Sequence, residues 1–172
     1  MKLLKILKNY FSKEKAIVFD MEGHLENLVK NILYDSIEEF KKNENKIYNL
    51  FNIYPNNPYG HFGMAAYSLL SDAYPAAISH IECGLKIKEN EDGIMLKTEI
   101  LYSALLADPN IIIFNLIKDH KNPVDFVKEF INESLEMYPN NEIIKSCVDE
   151  FNKKFRGNKE KLKSLRLLKN DS

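Results

Sequence analysis

The sequence predicts an all-α protein built from short helices. Apolar residues recur at three- and four-residue steps through most of the chain, as they do along one face of an α-helix. Five of the six prolines stand where one such segment stops or the next begins. No segment combines two-residue alternation with the Asn-Gly or Asp-Gly turns of β-hairpins. The 172 residues, 45% hydrophobic and 28% charged, fit one globular domain with a real core.

The first strongly periodic segment is DMEGHLENLVKNILYDSIEEFKK, which begins at Asp20. Its apolar residues from Leu25 to Phe40 fall on one helical face. Asp20 is placed to cap this helix, and Glu22 lies in the first turn, where a negative charge suits the helix dipole. Six further helices are predicted at about 45–54, 59–71, 75–89, 93–107, 123–138 and 141–155.

The stretch NIIIFNLI at 110–117 is rich in β-branched residues, which are common in strands. Asp108 and Pro109 directly before it match a helix N-cap and a first helical residue. We therefore expect a helix here. Residues 108–122 are predicted to add this helix, or a longer loop, to the regular pattern.

One motif occurs twice, as IYPNN at 53–57 and as MYPNN at 137–141, and each copy closes an apolar segment. Proline blocks continuation of a helix, while asparagine adopts turn conformations and caps a following helix. The motif is therefore interpreted as the boundary between one helix pair and the next.

A second pattern concerns side-chain size. Ala77, Ile81 and Gly84 share one helical face in the order small, large, small, which would let a neighbouring helix approach closely. The same relative steps in two other segments are taken by Val127, Ile131 and Ser134, and by Asn43, Ile47 and Leu50.

Together these features resemble the tetratricopeptide repeat (TPR), a 34-residue helix–turn–helix unit that closes on a proline. Pro55 and Glu89 lie 34 residues apart, and Tyr67 and Tyr102 lie 35 apart in the echoing stretches AAYSLLSDA and ILYSALLAD. The resemblance covers about 21–155, without the family's characteristic Trp and Leu-Gly pair. It implies about three stacked antiparallel helix pairs, a TPR-like superhelix, with extra N- and C-terminal helices. An irregular α-bundle is the alternative.

The ends of the chain differ in charge from the body. We divide it into a basic amphipathic segment (1–20), the helical repeat domain (21–156) and a basic C-terminal capping helix or tail (157–172). Residues 1–15 carry a net charge of +4 and residues 157–172 carry +3, whereas 16–156 carry −8. Each basic end would either cap the helix stack or contact a partner or an anionic membrane.

Chemical motifs are scarce. Cys83 and Cys147 make no disulfide framework, and both are expected to be small buried side chains. His80 and Cys83 could share a helix face, but no paired ligand set with zinc-site spacing accompanies them. Nucleophile, phosphate-loop and metalloprotease motifs are absent. We therefore expect no enzyme, no catalytic residues, no metal and no cofactor.

Aromatic side chains are the better candidates for binding. The resemblance assigns four of them to the first helices of the units, which line the concave groove in TPR-like stacks. Tyrosine suits such a groove because it combines a large contact area with a polar tip. The predicted protein-binding residues are Tyr59, His61, Tyr67 and Tyr102.

These expectations describe a non-enzymatic protein-binding module that is the dedicated stoichiometric partner of one protein. That partner would be a basic toxin domain neutralised by an immunity protein, or an exported protein held by a secretion-type chaperone. The negative charge of residues 16–156 argues against binding of nucleic acid, because such binding depends largely on neutralising phosphates. Because no signal peptide is recognised, a cytoplasmic location is expected. The alternatives are a peripheral membrane adaptor anchored by residues 1–11, which is not favoured, and an enzyme with a spatially assembled site.

Overall fold

The computed structural model describes residues 44–53, 55–117 and 122–156. These residues form seven α-helices and no strand, so the all-α prediction is confirmed for this part of the chain. The helices are α1 (Glu44–Ile53), α2 (Pro58–Leu70), α3 (Tyr74–Ile87), α4 (Glu91–Ala107), α5 (Pro109–Leu116), α6 (Pro123–Met137) and α7 (Glu142–Arg156). The predicted helix that begins at Asp20 and the two basic ends lie outside the described residues.

The predicted helices agree closely with the observed ones. All six periodic segments after residue 44 match a helix to within two residues at either end. The preference for a helix over 110–117 is also confirmed, since α5 occupies that stretch. Asp108 caps α5 as predicted, because its carboxylate accepts a hydrogen bond from the backbone N–H of Asn110 at 2.9 Å.

The repeated motif lies between two helices at both of its positions. α1 and α6 end at its first residue, and α2 and α7 begin directly after it. Its last residue is the helix cap in each case. Asn57 accepts a hydrogen bond from the backbone N–H of Tyr59 at 2.9 Å, and Asn141 accepts two from the first turn of α7, at 3.1 Å each. Asn90 caps α4 in the same way, through the N–H of Gly93.

The helices pack in a regular order. α2, α4 and α7 contact one another in sequence, α3 contacts both α2 and α4, and α6 contacts both α4 and α7. α1 packs on α2. The short helix α5 departs from this order, because it contacts α3, α4 and α6 together.

Burial separates the helices into two kinds. α2 and α4 are buried around most of their circumference, whereas α3 and α6 bury a single stripe and leave the opposite face in solvent. The stripe of α3 contains Ala77, Ile78, Ile81 and Gly84, and that of α6 contains Val127, Ile131 and Ser134. The predicted faces of both helices are therefore confirmed.

Phe62 of α2 is fully buried and lies against glycines of two other helices. A Cβ atom added at Gly84 of α3 would lie 2.6 Å from Cε1 of the ring. One added at Gly93 of α4 would lie 2.6 Å from its Cζ. Carbon atoms do not pack so closely, so the ring occupies space that only glycine leaves open.

Lys97 links α4 to α3 and α6. Its ammonium group lies 2.6 Å from a carboxylate oxygen of Glu82 and 4.6 Å from the centre of the Phe130 ring. Only 15% of the Lys97 side chain is exposed, so this pair is less screened than a surface ion pair. The cation between a carboxylate and an aromatic face helps to hold the three helices in register.

One prediction about the core is wrong. Cys147 is buried as expected, but Cys83 is exposed. Cys83 lies two residues after Ile81, which is about 200° around the helix and so points away from the buried stripe. For the third predicted pattern, Asn43 and the side chains of Ile47 and Leu50 lie outside the described residues.

We expect Gly84→Ala to lower the free energy of unfolding by about 1–3 kcal/mol, because the new methyl group would overlap the Phe62 ring. This loss should outweigh the higher helix propensity of alanine, which is about 1 kcal/mol. Urea denaturation followed by circular dichroism measures the change. Cys83→Ala, at the exposed neighbouring position, is the control and should change stability by less than about 0.5 kcal/mol. Equal stability of the two variants would contradict the packing argument.

The two asparagines of the second motif allow a matched comparison. Asn141→Ala removes the cap of α7 and also the hydrogen bond that the Asn141 amide donates to Glu91 at 2.9 Å. It should cost about 1–2 kcal/mol of stability in the same assay. Asn140→Ala, at an exposed residue of the turn, should cost less than about 0.5 kcal/mol. Similar losses for both would show that α7 does not depend on its cap.

Candidate functional site

Tyr59, the first predicted binding residue, is 5% exposed at the start of α2. Its hydroxyl donates a hydrogen bond to Asp92 at 3.0 Å and accepts one from the Asn90 amide at 3.2 Å. Its ring packs edge-on against Phe62, with centroids 5.4 Å apart. The side chain therefore joins the start of α2 to the start of α4 and has little surface for a ligand.

His61 is half-buried and lies on the α3 side of α2. Its ring is 5.8 Å from that of His80, measured between centroids, and 5.0 Å from that of Phe51 in α1. Burial lowers the pKa of His61, although a hydrogen bond to the backbone carbonyl of Pro55 opposes the shift. This histidine belongs to a cluster shared by α1, α2 and α3.

Tyr67 is half-buried further along α2. Its ring meets that of Tyr48 edge-to-face, with centroids 5.9 Å apart, and Tyr48 is itself exposed on α1. A partly exposed aromatic pair of this kind offers contact area together with hydroxyl groups. Tyr48 was not among the predicted residues, because the sequence does not show which side of α1 faces α2.

Tyr102 is 7% exposed between α4 and α7. Its ring lies 6.3 Å from that of Phe151, which in turn stacks on Phe155 at 4.6 Å. Burial raises the pKa of the Tyr102 hydroxyl, and the charge of Glu150 adds to the effect. The residue is part of the core that joins the two helices.

The four predicted residues therefore have different neighbours. Tyr59 and Tyr102 are buried, whereas His61 and Tyr67 keep part of their surface. Each hydrogen bond and ring contact named above joins one of the four to a residue outside the set. That they bind a protein stays a prediction.

A different surface is apolar and exposed. Phe114 of α5 is 85% exposed, and Ile113 beside it and Leu106 at the end of α4 are also exposed. Ile112, on the other side of α5, is fully buried. We call Ile113 and Phe114 the α5 surface. The sequence does not reveal this surface, because every residue of IIIF is apolar and the pattern does not show which of them face solvent.

The body of the chain is acidic. Residues 16–156 carry 14 basic and 22 acidic residues, a net charge of −8, whereas the whole chain carries −1. Four of the carboxylates lie on the exposed face of α6, which contacts α5: Asp125, Glu129, Glu133 and Glu136. The α5 surface is therefore next to a helix whose solvent face is mostly negative.

One carboxyl group, that of Glu99 in α4, is half-buried among the helices. Burial raises the pKa of Glu99 in α4 from 4.5 to about 7. Burial also raises the pKa of the Cys147 thiol in α7, and the charges of Glu99 and Glu150 add to that shift. A thiol with a raised pKa is a poor nucleophile, so Cys147 behaves as a structural residue.

The described residues show neither a metal centre of three or more protein ligands nor a membrane-spanning helix. Within residues 44–53, 55–117 and 122–156, no three His, Cys, Asp or Glu side chains come together as a metal-binding group. None of the helices described is both long enough and apolar enough to cross a membrane.

No protein-family model matches the chain, and comparisons with curated proteins and with solved structures give no significant match.

The protonation of Glu99 should make stability depend on pH. Below pH 4.5 the Glu99 carboxyl is protonated in both the folded and the unfolded protein. Between pH 4.5 and 7 it ionises only in the unfolded protein. The free energy of unfolding therefore falls as pH rises through that range. Glu99→Gln stays neutral and should therefore be more stable than the parent at pH 8, by about 1–3 kcal/mol, and equally stable at pH 4. Urea denaturation at the two pH values measures this.

Glu133→Gln is the matched control, because Glu133 is exposed on α6. It should change stability by less than about 0.5 kcal/mol at either pH. If Glu99→Gln proved no more stable than the parent at pH 8, the carboxyl of Glu99 would be ionised at no cost in the folded protein.

Proposed function

We propose that the helices form a TPR-like stack of about three antiparallel pairs. The order of contacts supports this, since α2, α4 and α7 follow one another, and α3 and α6 each pack against two of them. The capping asparagines support it too: Asn57 and Asn90 lie 33 residues apart, close to the 34-residue period. In this scheme α5 is an insertion, and it accounts for the interval from Asn90 to Asn141 being longer than the interval from Asn57 to Asn90.

The proposed function is that of a non-enzymatic protein-binding module with one dedicated partner. The observation that carries it is the α5 surface. Phe114 is 85% exposed, and exposing so much apolar surface to water is unfavourable in the free protein. A partner that covered the ring would remove this free-energy cost. Buried aromatic side chains of this kind contribute much of the binding energy at protein interfaces. Three helices hold α5 in place, so little conformational entropy would be lost on binding.

Two roles fit such a module. An immunity protein would use the negative charge of the body, −8 over residues 16–156, to attract a basic toxin domain. A secretion-type chaperone would use the exposed apolar side chains to hold a hydrophobic segment of an exported protein. The two roles differ in their response to salt, because ions screen charge attraction over a distance of about 10 Å at 0.1 M.

The test begins with co-purification of the untagged chain from its native host, followed by binding measurements with the purified partner. Phe114→Ser should weaken the complex by about 30-fold or more, because it removes the exposed anchor, and should leave stability within about 0.5 kcal/mol. Isothermal titration calorimetry gives the affinity. An association rate that falls steeply with salt would indicate the immunity role, and a rate that does not would indicate the chaperone role.

Met137→Ser is the matched control, since Met137 is 47% exposed at the end of α6. It should bind the partner like the parent. Absence of any stoichiometric partner would contradict the proposed function. A partner that bound the parent and Phe114→Ser equally would leave the function standing and exclude the α5 surface as its site.

A further inference from the structure

Two histidines face each other where α2 and α3 pack. The ring centroids of His61 and His80 lie 5.8 Å apart, with the ring planes inclined at 46°. Phe51 of α1 packs edge-to-face against both rings, at 5.0 Å and 5.5 Å. Side chains from three helices therefore fix the position of the pair.

One ring nitrogen of His61 lacks a partner. Its Nδ1 is buried and makes no hydrogen bond. A buried polar atom without a partner costs free energy, and a metal ion bound at Nδ1 would remove that cost.

The separation of the rings agrees with a shared metal ion. With metal–nitrogen bonds of about 2.0–2.1 Å, two imidazoles on one ion hold their centroids roughly 5–6.5 Å apart. The observed 5.8 Å lies inside that range. A direct N–H···N hydrogen bond between the rings would bring the centroids to about 5 Å, which is closer than they are.

We propose that His61 and His80 bind one divalent transition-metal ion, such as Zn²⁺ or Ni²⁺, with water completing its coordination. Imidazole nitrogens favour these ions over Mg²⁺ and Ca²⁺. Burial lowers the pKa of both rings, and the charge of His61 adds to the shift at His80, so both are neutral at pH 7.5, as metal ligands must be. No third protein ligand joins them within the described residues, so the affinity should be below that of a four-ligand structural zinc site.

The exposed thiol of Cys83 is a competing ligand, since it lies one helical turn from His80. The test therefore uses the untagged full chain with Cys83→Ser. Titration with zinc chloride alone at pH 7.5, followed by calorimetry, should give binding of one equivalent. His61→Gln and His80→Gln should each weaken that binding by about 10- to 100-fold, since each removes a ligand. His120→Gln, at a histidine distant in sequence from the pair, should bind like the parent.

A second measurement tests the site without substituting either histidine, so its result does not depend on whether the His61→Gln and His80→Gln variants fold. In the ¹⁵N-histidine spectrum of the Cys83→Ser chain, one equivalent of zinc should shift the ring nitrogens of two histidines and leave the other two unchanged. Assignment of the shifted rings to His61 and His80 supports the site. Absence of zinc binding, shifts at other histidines, or full affinity in a folded His61→Gln or His80→Gln variant would overturn it.

Discussion

The contact of the Phe62 ring with Gly84 and Gly93 is the interaction on which the packing of three helices depends. The ring has no exposed surface and fills the space that two absent side chains leave in α3 and α4. Close approach of this kind gives many favourable dispersion contacts and tolerates little change in volume. Because α2, α3 and α4 are fixed relative to one another here, the positions of Tyr59 and His61 on α2 follow from it.

A second contact between helices explains why α5 can expose a large aromatic side chain. Glu82, Lys97 and Phe130 tie α3, α4 and α6 together through an ion pair and a cation–π contact. α5 packs on these three helices and buries Ile112 against them. α5 has only eight residues. One side of it packs on the other helices, and the opposite side faces solvent. The exposed phenylalanine is thus supported by a rigid base.

Most of the fold follows from local signals, whereas the candidate sites do not. Helix limits were predictable because caps such as Asn141 and Asp108, and the prolines beside them, act within a few residues of themselves. Exposure depends instead on which helix lies alongside. Tyr59 and Tyr67 stand in the same helix, yet one is covered by the start of α4 and the other meets Tyr48 near the surface. The facing of His61 and His80 likewise depends on how α2 and α3 pack.

The sequence by itself determined that the chain is helical between residues 44 and 156 where it is described, where those helices begin and end, and which stripes of α3 and α6 are buried. These properties come from spacing and caps, which are read along one helix. Only the tertiary structure decided that Cys83 and Phe114 face solvent, that the pKa of Glu99 is raised by partial burial, and that two histidines meet. The physical reason is that burial and pairing are properties of contacts between helices, and residues far apart in the chain set those contacts.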